Sequence, residues 1–321
     1  MTSGFSVIIP VYNAEDFLLR AVRSVQEQTL APLEILMVED CSTDGTRDVV
    51  AKLAEADSRI RLLQTAQNGG PSAARNLGID AAKGDWIATL DADDAFEPDR
   101  LRRLADLTAG APEPDIVADD LLYYDAGAHC PTGPAQATRG FTGRDITLAD
   151  YLRHNLADGK GADWGLLKPC FRRDFLIRMN LRYPASMRHG EDFAFMVSLL
   201  ESGARFTLLD EALYLYTQRS GAISRRVSDL SRTSIAYGAL ARSALTLARE
   251  PGISGRPELV TLLCQRADGL MRLDDAHFFS VAVRRKDIGG LLRRVRERPS
   301  FGPFICLLIF RAICRRVVRR G

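Results

Sequence analysis

The chain predicts an α/β fold: a mostly parallel sheet with helices on both faces, followed by a C-terminal helical extension. Three observations predict it. Strand-like apolar runs alternate with helically spaced segments from Phe5 to Ala118, which implies a parallel sheet covered on both sides. Two of those runs end in acidic residues, at Glu39-Asp40 and at Asp91-Ala92-Asp93-Asp94. Beyond about Ser228 the spacing is helical only.

Each element has its own signal. Val7-Ile8-Ile9 is a buried strand that Pro10 stops, and Ala14 to Gln28 spaces Phe17, Leu18, Ala21, Val22 and Val25 at helical period. Glu34-Ile35-Leu36-Met37-Val38 is the second strand; Ser42-Thr43-Asp44-Gly45 turns into a helix from Thr46 to about Ala56. Ile60-Arg61-Leu62-Leu63 is the third strand, and Pro71 opens a helix through Ala82 after Asn68-Gly69-Gly70. Trp86 to Leu90 then reads as a buried strand tipped by three carboxylates. A helix from Pro98 to about Ala109 and a strand at Asp115-Ile116-Val117-Ala118 follow. Ala126 to Gly143, rich in Gly, Pro, Thr and Ala, reads as a loop. Helical spacing returns at Leu148 to Asn155, Ser228 to Arg249 and Leu259 to Phe279. We expect three parts: 1–225 carrying the site, a helical extension at 226–300, and a basic amphipathic tail at 301–321.

Composition narrows the class. With 321 residues, 46% hydrophobic and 26% charged, the chain has enough apolar residues for one large core. The formal charge of +2 hides an asymmetry. Residues 284–321 hold twelve Lys/Arg against Asp287 and Glu297, whereas the remainder holds 31 basic and 39 acidic residues. An acidic body with a basic tail argues against a nucleic-acid binder and for contact with an anionic surface. Cys41, Cys130, Cys170, Cys264, Cys306 and Cys314 form no C-x-x-C pair and fit reduced cytosolic thiols. We expect no secretory signal, and the run Phe304 to Phe310 is too short to span a bilayer.

Carboxylates crowded at a strand end repel one another unless a cation or a set of donors satisfies them. Oxygen ligands of this kind suit Mg²⁺ or Mn²⁺ on a substrate's phosphates, although a solvated acidic loop and a helix cap read the same in isolation. No G-x-G-x-x-G follows the first strand, which argues against a dinucleotide dehydrogenase.

Five segments, in order, resemble glycosyltransferase family 2 of the GT-A fold. They are Ser6 to Asn13, Glu34 to Thr46, Asn68 to Asp94, Gly190 to Phe195 (GEDFAF) and Tyr214 to Ser224. Within that family the chain is most similar to bacterial enzymes that build exopolysaccharides such as succinoglycan. The resemblance covers about residues 5 to 225 and implies roles. Asp40 would accept the uracil N3–H, with Pro10, Tyr12 and Asn13 lining the base and ribose pocket and Arg75 near the nucleotide. The family often has two Asp where this chain has Glu39-Asp40, which leaves the contact of residue 39 open. Asp91 and Asp93 would form the D-x-D, Asp91 reaching ribose and Asp93, assisted by Asp91, holding Mg²⁺ or Mn²⁺. Asp94 is a further candidate, below Asp93, for contact with the sugar or for supporting the residues that touch it. Asp192 would be the base, oriented by Glu191, although both also fit a helix-capping role. Arg219 would close over the diphosphate from a loop containing Ser220-Gly221, with Arg188 and His189 as weaker candidates. Trp164 would stack on an acceptor sugar or be a buried aromatic; Lys168, Arg172 and Arg173 precede the base motif without an assigned role.

The resemblance implies an inverting, metal-dependent hexosyltransferase. It would move glucose from UDP-glucose to a hydroxyl of a lipid-linked oligosaccharide and form a β-glycoside, at the cytoplasmic face of a bacterial inner membrane. The alternatives are a catalytically silent UDP-sugar-binding scaffold or a nucleotidyltransferase. In the tail, Phe310, Ile313, Cys314, Val317 and Val318 fall on one helical arc, and Arg311, Arg315, Arg316, Arg319 and Arg320 on the other. That pattern fits a helix in a membrane interface or one docked on the protein's own core.

Overall fold

The computed structural model describes residues 4–110, 112–158, 163–187, 189–218 and 236–306. Arg188, Arg219, Ser220-Gly221, the expected boundary near 225 and the segment 307–321 lie outside them.

Four parallel strands make the N-terminal half: β1 (Phe5–Val11), β2 (Glu34–Glu39), β3 (Ile60–Gln64) and β4 (Trp86–Thr89), in spatial order β3-β2-β1-β4. Helices α1 (Leu18–Gln26), α2 (Thr46–Ala56) and α3 (Gly70–Ala81) connect them. The order reverses beside β1, so the chain leaves β1 and β4 in diverging directions and opens a crevice at their carboxyl ends. All of β2 and nearly all of β1 is buried, consistent with a parallel sheet covered on both faces. Pro10 does not end β1, contrary to expectation; it pairs in register with Val38. Ile8 accepts from Leu90, so alternate residues of β1 face β4, and Pro10 faces that side beyond the last β4 pair, Ile8 with Thr89. Its missing N–H is not needed there.

The second half departs from the simple alternation. It comprises β5 (Ala95–Phe96), α4 (Arg100–Thr108), β6 (Ile116–Asp125), β7 (Cys130–Pro134), β8 (Asp145–Ile146), α5 (Leu148–Arg153), β9 (Cys170–Arg172), α6 (Arg173–Arg178), α7 (Glu191–Glu201) and β10 (Phe206–Gln218). The sheet continues from β4 as β9-β6-β10-β5, with β7 on β6 and β8 on β10. Strand β9 runs antiparallel between β4 and β6, so the sheet is mixed at its centre. The segment expected as a loop from Ala126 contains β7, and Tyr214 to Gln218 belongs to β10. Helix α7 is buried almost all round, as a helix that is apolar on every side must be.

The C-terminal helices are α8 (Tyr237–Leu247), α9 (Pro251–Ser254), α10 (Pro257–Arg285) and α11 (Ile288–Glu297), with residues 301–306 helical after them. Helix α10 packs on α8 and α5. Its Arg266 is buried, donates to the Asn155 carbonyl and lies 3.8 Å over the Phe193 ring. No helix among the described residues is long and apolar enough to cross a membrane.

Helix α3 approaches β1 closely because Gly78 has no side chain: a Cβ there would lie 2.5 Å from Cγ2 of Ile8. Gly78→Val is therefore expected to cost about 1–3 kcal/mol through overpacking, read as a lowered urea midpoint. An unchanged midpoint would contradict this packing.

Candidate active site

A cleft of about 400 Å³ opens at the ends of β1 and β4. Pro10, Tyr12, Asn13, Asp40, Asn68, Gly70, Asp91 and Asp93 are among its lining residues. Tyr12 is 50% exposed, so it presents its ring to the cleft instead of packing into the core. Asn13 takes a left-handed backbone (φ 48°), and its side-chain oxygen accepts from the Thr43 N–H at 2.8 Å. It thereby ties the end of β1 to the turn after β2.

Asp40 shapes the neighbouring wall. Its Oδ1 accepts from Thr65 Oγ1 at 2.6 Å and the Gly69 N–H at 3.0 Å, and its Oδ2 from the Gly70 N–H at 2.8 Å. Three acceptor positions are thus used to hold the Gly69-Gly70 turn. A carboxylate has about four such positions, which leaves one on Oδ2. Glu39 is buried and accepts from the Ser42 N–H at 2.5 Å, so it supports the turn and does not line the cleft.

The acidic loop follows β4, which ends at Thr89. Asp91, on the cleft wall, gives Oδ1 to Arg75 at 2.8 Å and Oδ2 to Lys168 Nζ at 3.0 Å. Lys168 Nζ also reaches Asp192 Oδ2 at 3.0 Å. Arg75 Nη1 lies 3.2 Å from Glu191 Oε1 and 3.3 Å from Asp192 Oδ1. Three carboxylates from two distant segments thus share two buried cations. Burial alone would raise the Asp91 carboxyl, but Lys168 and Arg75 outweigh it and hold it well below the usual carboxylate range. Burial would likewise lower Lys168 and Arg75, and the surrounding carboxylates instead raise both well above their ordinary values.

Asp94 behaves in the opposite way. It is 3% exposed, and burial, then the charges of Asp93 and Asp91, push its carboxyl well above the ordinary value. It accepts from the Tyr214 hydroxyl at 2.8 Å and the Thr217 N–H at 2.7 Å, while the Tyr214 oxygen accepts from the Asp91 N–H at 3.2 Å. Asp94 therefore fastens the acidic loop to β10, the supporting one of the two roles expected for it. Arg20 adds a second tie, donating to the Asp93 carbonyl at 2.6 Å and to Thr217 Oγ1.

Gly190 positions the second motif. Its φ of +76° turns the chain into α7, which starts at Glu191. Glu191 and Asp192 fall in the first turn, where the helix dipole favours negative charge. A Cβ at Gly190 would also lie 2.5 Å from Leu240 of α8, so the extension presses directly on this turn.

Several expectations are revised. Arg75, expected near the nucleotide, is 3% exposed and pairs with Asp91 on the cleft wall. Asp91, expected as a partner of Asp93 on the metal, has each oxygen paired to a buried cation, which leaves about one further acceptor position on each. Trp164 is a core residue: 1% exposed, stacked on His154 at 4.0 Å, and donating from Nε1 to the Ala137 carbonyl at 2.7 Å. It has no face for a sugar. Lys168, without a role from sequence, joins the two acidic motifs. Its backbone carbonyl accepts from Arg100, a fully buried side chain paired with Asp119 at 2.7 Å. A lone Lys before β9 carries no local signal; only the antiparallel entry of β9 beside β4 brings it to the cleft.

No three His, Cys, Asp or Glu residues among those described group as a metal cage. The loop nonetheless suits a divalent ion. Asp93 lines the cleft, with Asp91 and Asp94 beside it in the same loop. Mg²⁺ is commonly held by one or two carboxylates plus phosphate oxygens.

The β3-β2-β1-β4 half and an acidic cleft at its switch point define a GT-A architecture. Solved structures agree on the fold. The TarS protein of S. aureus, determined in complex with UDP-GlcNAc, superposes with a TM-score of 0.64 at 22% identity over 82% of this chain and 72% of that one. The mannosyltransferase PcManGT of Pyrobaculum calidifontis, in complex with GDP-Man and Mn²⁺, gives 0.55 at 18% identity over 97% and 85%. Residues 6–160 match the family described as glycosyl transferase family 2, and the chain belongs to that family. It is 36% identical to the succinoglycan biosynthesis protein ExoO of Rhizobium meliloti over 68% of this chain, but the match spans only 62% of that relative. ExoU of the same organism is 30% identical over 92% of this chain and 90% of its own length. TuaG of Bacillus subtilis, a putative teichuronic acid biosynthesis glycosyltransferase by name, is 41% identical over 68% and 81%.

Removing Lys168 leaves Asp91, Glu191 and Asp192, all partly buried, to share Arg75 alone. Lys168→Met is expected to destabilise the protein at pH 7 by about 2–4 kcal/mol, discounted from the full buried-pair cost because Asp91 and Asp192 are a quarter exposed. Asp91 is depressed in the folded state, so its contribution is present above the unfolded value of roughly 4 and is lost as pH falls below it. The penalty should accordingly shrink between about pH 4 and pH 2, measured by urea unfolding across that range. A penalty independent of pH would contradict it.

Proposed function

We propose that the protein is an inverting, metal-assisted hexosyltransferase that uses a UDP-sugar, UDP-glucose first among candidates. The acceptor is a hydroxyl of a lipid-linked oligosaccharide in exopolysaccharide assembly. One observation carries this reading: Arg75 and Lys168 tie Asp91, on the wall of the cleft, to Asp192, so the donor motif and the base motif form one cluster. The named roles of ExoO and ExoU in succinoglycan biosynthesis support the pathway class.

In this reading the uracil and ribose lie against Pro10, Tyr12 and Asn13, with the N3–H directed at the remaining acceptor position of Asp40. Asp93 holds the Mg²⁺ or Mn²⁺, which when bound supplies a positive charge to the leaving diphosphate. Asp192 accepts the proton of the acceptor hydroxyl as its oxygen attacks the anomeric carbon. The C1–O bond to the diphosphate breaks, UDP departs, and the configuration inverts. The hydroxyl acidifies only as the new bond forms, so a carboxylate suffices as base. Lys168 and Arg75 keep Asp192 aimed while they neutralise its neighbours. Arg219, from outside the described residues, closes over the diphosphate, and segment 307–321 adds peripheral membrane contact at the cytoplasmic face.

Release of UDP from a panel of UDP-sugars, with lipid-linked oligosaccharide and with or without Mn²⁺, tests the reading. Asp192→Asn should lower kcat by about 10²–10⁴-fold and leave UDP affinity within about twofold. Asp93→Ala should abolish the metal-dependent part of UDP binding, measured by calorimetry. Near wild-type turnover in Asp192→Asn would remove it as the base, and metal-dependent UDP binding in Asp93→Ala would remove Asp93 as the ligand.

A further inference from the structure

We propose that the corner between the end of α10 and helix α11 is a docking face for an anionic lipid bilayer. Ile288, Leu292 and Val295 recur at i, i+4 and i+7, one stripe of the helix, and are 69%, 67% and 42% exposed. Val283, in the last turn of α10, is 52% exposed. Single exposed apolar residues are ordinary; a cluster of large ones is not.

The rotation of α11 is imposed. Arg294 pairs with Asp274 and with Asp275, the latter at 2.9 Å, and Arg298 reaches Asp275 at 2.9 Å. Asp275 is 2% exposed, so α11 cannot turn its stripe inward without leaving that buried carboxylate unpaired. The apolar stripe faces out because its arginines are engaged on the other side.

Charge selects the occupant. Arg284, Arg285 and Lys286 close α10, and Arg296 borders the stripe, all exposed. Asp287 turns its carboxylate to the Gly290 N–H at 2.7 Å as a helix cap, and Glu297 lies on the side of α11 opposite the stripe. An apolar stripe bordered by cations is the pattern of a helix lying in a headgroup layer. A second copy docking through the same face would set arginine against arginine. The chain's own segment 307–321 carries Arg311, Arg315, Arg316, Arg319 and Arg320 and meets the same repulsion.

The face is also close to the site. A Cβ on Gly190 would meet Leu240 of α8, a Cβ on Gly238 would lie 3.8 Å from Asp274, and Asp274 pairs with Arg294. Helices α10 and α8 therefore link α11 to the base motif. The inference goes beyond the membrane contact assigned to 307–321, and it draws its purpose, though not its geometry, from the reading of a lipid-borne acceptor.

The test uses the full chain and sedimentation with vesicles of phosphatidylglycerol and phosphatidylcholine, against phosphatidylcholine alone. Wild type should bind only the anionic vesicles. Lys286→Gln with Arg296→Gln should weaken binding about 30-fold, from roughly 1 kcal/mol per basic residue near an anionic surface, and Ile288→Ser with Leu292→Ser at least about tenfold. All substituted side chains are exposed, so folding and UDP affinity should be unchanged. UDP binding, measured separately, reports on the donor site, so failure there leaves the vesicle result standing. Wild-type vesicle binding in both variants, absence of anionic-lipid dependence, or a loss of self-association in place of lipid binding would overturn the inference.

Discussion

Arg75 places a full positive charge at a point 3% exposed to water, and that position constrains what surrounds it. A buried guanidinium demands counter-charges, and Asp91, Glu191 and Asp192 supply them from segments about a hundred residues apart. The dependence is mutual. Three carboxylates would not gather at one cleft without cations, and removing a partner from such a cluster costs far more than an exposed pair contributes. Arg75 and Lys168 thus fix the spacing of the two acidic motifs before any substrate arrives, which is what in-line transfer requires of its groups.

Around that cluster the fold is a set of supports. Arg100, buried against Asp119, sits 4.3 Å over the Phe96 ring and 5.1 Å over Tyr214 while holding the Lys168 carbonyl. Tyr214 in turn bridges the Asp91 backbone and Asp94. On the far side Arg266 caps Phe193 in the first turns of α7, and Leu240 packs on Gly190. The C-terminal helices therefore brace the base motif directly.

Much of this was legible in the sequence. Helices α2, α3 and α7 follow from turn residues, Pro71 and apolar spacing, all local signals. The lining residues Tyr12, Asn13, Asp40, Asp91 and Asp93 follow from acidic strand ends and their family-like context. What sequence did not reveal depends on long-range pairing. The three-residue strand β9 is too short to carry a period, yet its antiparallel entry beside β4 brings Lys168 to Asp91. Trp164 reads equally well as a sugar platform or a core ring until His154 and Phe141 are seen packed on it. Asp94 is indistinguishable from Asp93 in sequence; only Tyr214 and Thr217, some 120 residues on, separate a buried strut from a residue of the cleft.

The most direct test of this arrangement is a crystal structure with UDP and Mn²⁺. The account predicts uracil between Tyr12 and Asp40, the metal on Asp93 and the diphosphate, and Arg75 and Lys168 still joining Asp91 to Asp192. Nucleotide bound elsewhere, or a metal on Asp91 with Lys168 displaced, would contradict it.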